Sequence, residues 1–383
     1  MLVRALPHMT DVPVSLVGGA VRDALLGVAD QEDVDLVVEG DALALVEHLG
    51  RELNVRVVSH GRFGTAYLEL PHDRWIDLVM ARRERYAHAG ALPDVEPGTL
   101  ADDLARRDFT INAMAYRLTG PDAGVLVDAH GGRGDIERRT IRVMRDGSFV
   151  EDPSRMIRAA RYAARLGFTL DPATAAAAHA AAEAVDPSSA RVGEELKRLL
   201  AEASAPAALG VLRDLGVPWI AAPPDLASRF DGIDRALTRD GAPRLDAWAL
   251  RLGLAVDPTV LSRVALDGWA RGLASETADG PDLARRLRDA SRPSQTDAVL
   301  RAAKPAAAVV ACALGCEDVA AWWAGARDLR IGLSGEDLVA AGVRPGPVIG
   351  RALAAVRAAV LDGEVEGIDA EMALAMRIVA EAA

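Results

Sequence analysis

Along its first 145 residues the chain alternates short apolar runs with stretches whose apolar positions recur every three or four residues; after that only the second rhythm persists. The runs VSLVGG (from Val14), DVDLVVEG (from Asp33), VRVVSH (from Val55), TAYLEL (from Thr65) and WIDLVMAR (from Trp75) have the length and β-branched content of strands. They predict a mixed α/β domain ending near Arg145. From Glu151 onward the segments PSRMIRAARYAARLGF, ATAAAAHAAAEAV, RVGEELKRLLAEA and APAALGVLRDLG read as helices separated by Gly, Pro and Ser. Proline and glycine thicken over Gly216 to Gly232 and Gly342 to Gly350, which predicts joints between helical subdomains. No internal repeat is found, and the alanine-rich tracts are good helix formers.

Composition adds bounds. With 383 residues, half of them apolar, the chain can bury a sizeable core. No uncharged apolar stretch reaches the roughly 18 residues of a membrane span, and the amino terminus lacks signal-peptide order, so the expected location is the cytoplasm. Cys312 and Cys316 lie four apart in a helical context, which suits small core residues and neither a disulfide framework nor a metal knuckle. The formal charge of −12 argues against non-specific nucleic-acid binding by the whole chain. Locally the balance reverses: Arg133 to Arg165 holds nine arginines against five acids. Lysine occurs only at 197 and 304, so basic work falls to arginine, whose planar fork suits phosphates and base edges.

Chemistry concentrates in VGGAVRDALLGVADQEDVDLVV, Val17 to Val38. Side chains of a strand alternate between faces, so Asp33 and Asp35 project together while Val34 and Leu36 face the core. Like charges held that close are unfavourable unless a cation compensates them, and paired carboxylates are what Mg²⁺ takes when it also binds substrate phosphates. Asp77, on another predicted strand, is a third candidate carboxylate. Gly18 and Gly19 fall between a strand and a helix predicted to begin near Ala20, where backbone N–H groups and Arg22 suit an anion. The three-glycine dinucleotide fingerprint and the Walker loop are both absent. Taken alone, the aspartate pair also fits a solvated strand end, and the glycine pair a plain turn.

Gly-Gly-x-Val-Arg-Asp-x-Leu-Leu-Gly followed by Asp-x-Asp resembles the opening motif of the class II tRNA nucleotidyltransferase and bacterial poly(A) polymerase family. RRDFTINAMAY (Arg106 to Tyr116) resembles its second signature, GGRGDIERRTIRVM its connecting segment, and EDPSRMIRAARYAARLGF (Glu151 to Phe168) its nucleotide-reading motif. ARVGEELKRLL and GEDLVAAGVRPGPVIGRAL resemble the later motifs. The resemblance implies an α/β nucleotidyltransferase head, a mixed β-sheet flanked by helices, over residues 1–145. An all-α neck (146–205), body (206–275) and tail (276–383) would follow, the tail as a tRNA contact.

It implies further that Asp33 and Asp35 hold catalytic Mg²⁺ with Asp77 nearby, and that Gly18, Gly19 and Arg22 contact a triphosphate. Arg107 would contact phosphate, Asp108 the ribose, and Asn112 phosphate or sugar. Asp152 and Arg155 would read the incoming base, Glu151 would orient Arg155, and Arg158 and Arg161 would reinforce the site. The reaction implied is attack of an RNA 3′-hydroxyl on the α-phosphorus of CTP or ATP at the 3′ end of tRNA, building or repairing the CCA terminus. Cytosine and adenine each pair an exocyclic amino donor with a ring-nitrogen acceptor. An ionised Asp152 would accept from the first, and Arg155 would donate to the second. Uracil or guanine would leave both protein groups unpaired, at about 1–3 kcal/mol or more.

The sequence departs from the family in one place. Where enzymes that build the whole CCA end carry a charged loop, often Arg-Arg-Pro-Asp-Glu, this chain has YAHAGALPDVEPGTLADDLA, without Arg or Lys between Arg85 and Arg106. That form resembles enzymes performing part of the task, A-adding ones among them, in lineages that divide the work, so the chain is expected to perform the A-adding or the CC-adding part. No histidine follows His179, so no His-Asp phosphohydrolase module is expected, and His60 and His130 are the histidines expected nearest the site. The alternatives are a poly(A) polymerase and, from another class, an inactive RNA-binding protein on the same scaffold. The joint presence of Asp33, Asp35, Arg107, Asp108, Asp152 and Arg155 speaks against the latter. The partners implied are tRNA, at its 3′ end and acceptor and T arms, and CTP or ATP, with no membrane and no DNA.

Overall fold

The computed structural model describes residues 6–28, 33–60, 65–70, 74–85 and 94–382, without the side chains of Asp33, Ser59, His60, Arg74, Glu84, Arg85 and Asp94. All five strands predicted from the alternation are present: β1 (Val14–Val17), β2 (Asp33–Val38), β3 (Arg56–His60), β4 (Thr65–Leu70) and β5 (Arg74–Met80). A two-stranded ribbon of β6 (Arg82–Arg85) and β7 (Asp94–Pro97) follows, then β8 (Ala115–Arg117) and β9 (Leu126–Val127). The main sheet has the order β3-β4-β5-β2-β1-β8-β9. β2 and β5 run parallel, and the other described pairings of this sheet are antiparallel.

Each face of the sheet has its own cover. The helix Ala42–Leu53, started by the Asp41 carboxylate accepting from the Ala44 N–H, lays Leu45, Val46 and Leu49 over Leu36, Val38, Leu68, Ile76 and Leu78. Fully burying such a side chain is worth about 1.5–3 kcal/mol. Val34 packs against the same cluster, so the alternation that turns residues 34 and 36 inward leaves positions 33 and 35 on the opposite face. There, the helix Leu100–Ala105, opened by a Thr99–Asp102 capping box, buries Leu100 and Leu104 against Val17, Val37, Ala81 and Ala115. It covers one part of that face, and Trp75 and Asp77 remain exposed.

Two compact units emerge, Met1–Asp186 with Gly210–Pro218, and Pro187–Leu209 with Trp219–Ala383. The expected head–neck junction at 145/146 lies inside the first unit, where the helix Ser154–Leu166 buries Met156, Ile157, Ala159 and Ala160 and ends at left-handed Gly167. The short strands Thr140–Ile141 (β10) and Thr169–Leu170 (β11) pair in parallel beside it.

The second unit is helical, as predicted. One of its cores gathers Leu250, Leu283, Val309, Val319, Trp322 and both cysteines, whose thiols burial pushes up. Another gathers Leu333, Leu338, Val343, Ala352, Val356 and Ala375. Among the described residues no helix is long and apolar enough to cross a membrane.

Candidate active site

The register of β2 on β5 sets Asp35 directly beside Asp77 and position 33 beside Trp75. Neighbouring strands lie about 4.8 Å apart, so the two carboxylates rise from adjacent points of one sheet face. Asp35 is half-buried and Asp77 exposed. Like charges at a directly opposed pair are destabilising, and two hard oxygen donors in that position fit a divalent cation such as Mg²⁺. The Asp33 side chain lies outside the described part of the structure.

Gly18 closes on this pair from β1. Its φ of +70° is open to glycine, and a Cβ there would stand 2.7 Å from Arg107 Nη1 and 3.8 Å from Asp35 Oδ2. Only a residue without a side chain brings the β1 turn, the Arg107 guanidinium and the Asp35 carboxylate to one point. The Gly18 N–H itself donates to the Met114 carbonyl at 3.2 Å, and Gly19 opens the helix Gly19–Leu25 with its Cβ direction facing Arg22 Nη2 at 3.4 Å.

Arg22 is only 2% exposed. Its Nη1 donates to Asn112 Oδ1 at 2.6 Å, and its Nε and Nη2 donate to the two oxygens of Asp23 at 2.7 and 2.9 Å. The structure thus holds Arg22 beneath the site, gripping Asn112. Asn112 Nδ2 in turn donates to Asp108 Oδ1 at 3.1 Å, and Arg158 Nε donates to Asp108 Oδ2 at 2.7 Å. Burial alone would raise the Asp108 carboxyl, but the Arg158 charge and the bonds from Asn112, Arg158 and the Phe109 N–H prevail and hold it below the usual carboxylate range. Arg22, Arg158, Arg161 and Arg165 all lie over the Tyr162 ring at 4.8–5.4 Å, a cation–π cluster joining the helix Ser154–Leu166 to the Gly19–Leu25 helix.

Arg107 is held by a residue that sequence reasoning missed. Asp103 is fully buried; its Oδ2 accepts from Arg107 Nε and Nη2 at 3.3 and 3.0 Å, while Oδ1 accepts from Arg106 Nε and Nη2 at 3.0 and 2.5 Å. The signal was present in the i,i+3 and i,i+4 spacing of DDLARR.

In the nucleotide-reading motif, Arg155 is buried, with Nη1 donating to Ser148 Oγ at 2.8 Å and Nη2 to the Arg106 carbonyl at 3.3 Å. Asp152 Oδ1 accepts from the Ser154 N–H and hydroxyl at 3.1 and 2.5 Å, just ahead of that helix. Glu151 is tied most closely to Arg145 and stands 3.9 Å from Arg155. Ser148 was not foreseen, since a serine ahead of the motif carries no distinctive spacing.

Outside these groups, Asp135 of the connecting segment is buried and accepts from Thr110 Oγ1, Arg138 and Arg142 at 2.6–2.8 Å. His130 offers its carbonyl to Arg142 at 3.2 Å. The His60 side chain and residues 86–93 fall outside what the structure describes.

Known proteins bear on this arrangement. Residues 14–142 match the poly A polymerase head domain family. The chain is similar to the CC-adding tRNA nucleotidyltransferase of Deinococcus radiodurans, 38% identical over 94% of this chain and 88% of the relative. It is also similar to the A-adding tRNA nucleotidyltransferase of Geobacter sulfurreducens, 46% identical over 42% of this chain and 18% of that protein. Among solved structures, an apo CCA-adding enzyme superposes with a TM-score of 0.82 at 27% identity, covering 98% of this chain and 95% of that one. The Thermotoga maritima CCA-adding enzyme complexed with tRNA gives 0.75 at 26% identity, over 100% and 94%. With a relative of this identity along nearly its whole length and carboxylates, glycine turn and arginines assembled on one sheet face, the chain belongs to the tRNA nucleotidyltransferase family.

Proposed function

We propose that this chain transfers CMP from CTP to the 3′ end of tRNA in the cytoplasm, performing the CC-adding part of CCA synthesis. Support for the chemistry comes chiefly from one observation, the pairing of Asp35 with Asp77 beside Gly18 and Arg107. Support for CC addition comes from the likeness to a CC-adding relative along 94% of the chain, whereas the A-adding relative above aligns over 42%.

In this reading Asp33 and Asp35, with Asp77, hold Mg²⁺. When bound, the metal lowers the pKa of the attacking 3′-hydroxyl and offsets charge on the departing pyrophosphate. Arg107, fixed by Asp103, binds the triphosphate over the Gly18–Gly19 turn, and Arg22 acts through Asn112. Asp108, kept ionised by Arg158, accepts from the ribose, and Asn112 completes that contact. Arg155 and Asp152 read the base: Ser148 and the Arg106 carbonyl orient the Arg155 fork, which keeps further N–H donors for a ring nitrogen. Glu151, Arg158 and Arg161 brace this reader. Residues 1–145 act as head, 146–205 as neck, 206–275 as body and 276–383 as tail, the last contacting tRNA.

The test is extension of tRNA lacking its last three, two or one nucleotides with CTP, ATP or both. Growth by two residues with CTP alone on the three-short tRNA is expected. Growth on the one-short tRNA with ATP alone would make the enzyme A-adding, and an open-ended adenosine tract would make it a poly(A) polymerase. Asp35→Ala and Asp77→Ala are each expected to lower transfer at least a thousandfold with an unchanged circular-dichroism spectrum. Full activity in either removes that residue from the metal site.

A further inference from the structure

Trp75 is 37% exposed on the same sheet face as the two carboxylates. It lies two residues before Asp77, about 6.6 Å along a strand. Tyr67, the cross-strand partner of Asp77 on β4, meets Trp75 edge to face, with ring centroids 5.0 Å apart at 77°. An exposed indole braced by a second ring, beside acidic groups, has no core to fill; its large flat face is a stacking platform.

The order of strands says which nucleotide it serves. Gly18 and Arg107 close on Asp35 from the β1 side of β2, whereas Trp75 shares β5 with Asp77, and Tyr67 stands one strand further out on β4. In-line displacement at phosphorus sets the attacking oxygen opposite the leaving pyrophosphate. If the triphosphate lies over Gly18 and Arg107, the attacking strand end arrives from the β5 side. We infer that Trp75, supported by Tyr67, stacks on the 3′-terminal base of the RNA being extended and so positions its 3′-hydroxyl over Asp35 and Asp77. Stacking accepts any base, which suits a primer whose last residue changes after each addition.

The inference rests on the metal and triphosphate placement proposed above, and its test is separable because binding needs no turnover. The probe is tRNA lacking its last three nucleotides and ending in 2-aminopurine, with its abasic counterpart, bound to the intact chain without CTP. Trp75→Ala is expected to weaken binding of the base-bearing tRNA, and to raise its KM, about tenfold, with the KM for CTP within twofold of wild type. Trp75→Phe should recover most of this, and the 2-aminopurine quenching lost in the alanine variant should return. On the abasic tRNA wild type and Trp75→Ala should bind alike. Equal loss on both tRNAs, no loss on either, or a shift of the CTP KM instead would overturn the assignment. Loss of transfer in Asp77→Ala with Trp75-dependent quenching intact would leave both readings standing, and retained transfer there would sink the metal placement alone.

Discussion

At the scale of single residues, the arginines beside Gly18 are held from beneath by a buried carboxylate. Asp103 offers one oxygen to each of two arginines from a position closed to solvent. Asp103→Asn would leave two guanidinium groups short of an acceptor, and removing one partner of a buried charged pair costs about 3 kcal/mol or more. Denaturant unfolding should show that loss, and the KM for CTP should rise as Arg107 loosens; unchanged unfolding would show that Asp103 carries little. Asp35, Asp77 and Gly18 were legible beforehand because strand alternation and glycine chemistry are local properties, whereas Arg107 was named only through the family resemblance. The inward grip of Arg22 was not, since the Asn112 acceptor and the Tyr162 ring that draw it inward are far from it in sequence. Trp75 read as an ordinary strand residue, because exposure depends on what the helix Leu100–Ala105 leaves uncovered.

At the scale of elements, the five predicted strands formed as expected, while β6 to β11 were not anticipated. RRER in β6 carries no apolar alternation, and the three-residue β8 straddles the end of the second signature, too short to show an alternation. Close approach between elements was likewise invisible. The helix Gly132–Glu137 starts with the Gly132 and Arg133 N–H groups donating to Asp128 at 2.7 and 3.0 Å, and a Gly132 Cβ would lie 2.2 Å from the Thr110 carbonyl oxygen. That contact presses the connecting segment onto the turn bearing Asn112. Gly132→Ala must push the helix away, at about 2–3 kcal/mol. A thermal melt should show Tm lowered by about 5–10 °C; an unaltered Tm would mean the two elements separate freely.

At the scale of the whole chain, one acid-sensitive logic recurs in both units. Asp108 and Asp135 in the first unit and Asp297 in the second are each held below the ordinary carboxylate range: burial works against them, and neighbouring arginines and hydrogen bonds outweigh it. In the unfolded chain such groups titrate near about 3.9. Their stabilisation is therefore complete above that pH and is lost as pH falls through the lower folded values. Stability is expected to stay level from neutral pH to about 5 and to fall below about 4, and Asp297→Asn should flatten the slope; melts across pH 3–7 would show it. Asp297 also concentrates a larger dependence. It accepts from Trp322 Nε1 at 2.7 Å, Arg301 Nε at 2.9 Å and Arg357 Nε and Nη2 at 2.9 Å each, so three helices meet on one carboxylate. A change at 297 alone strands three donors at once, so substitutions at 297, 322 and 357 should combine non-additively, the second loss costing far less once the first has already undone the knot.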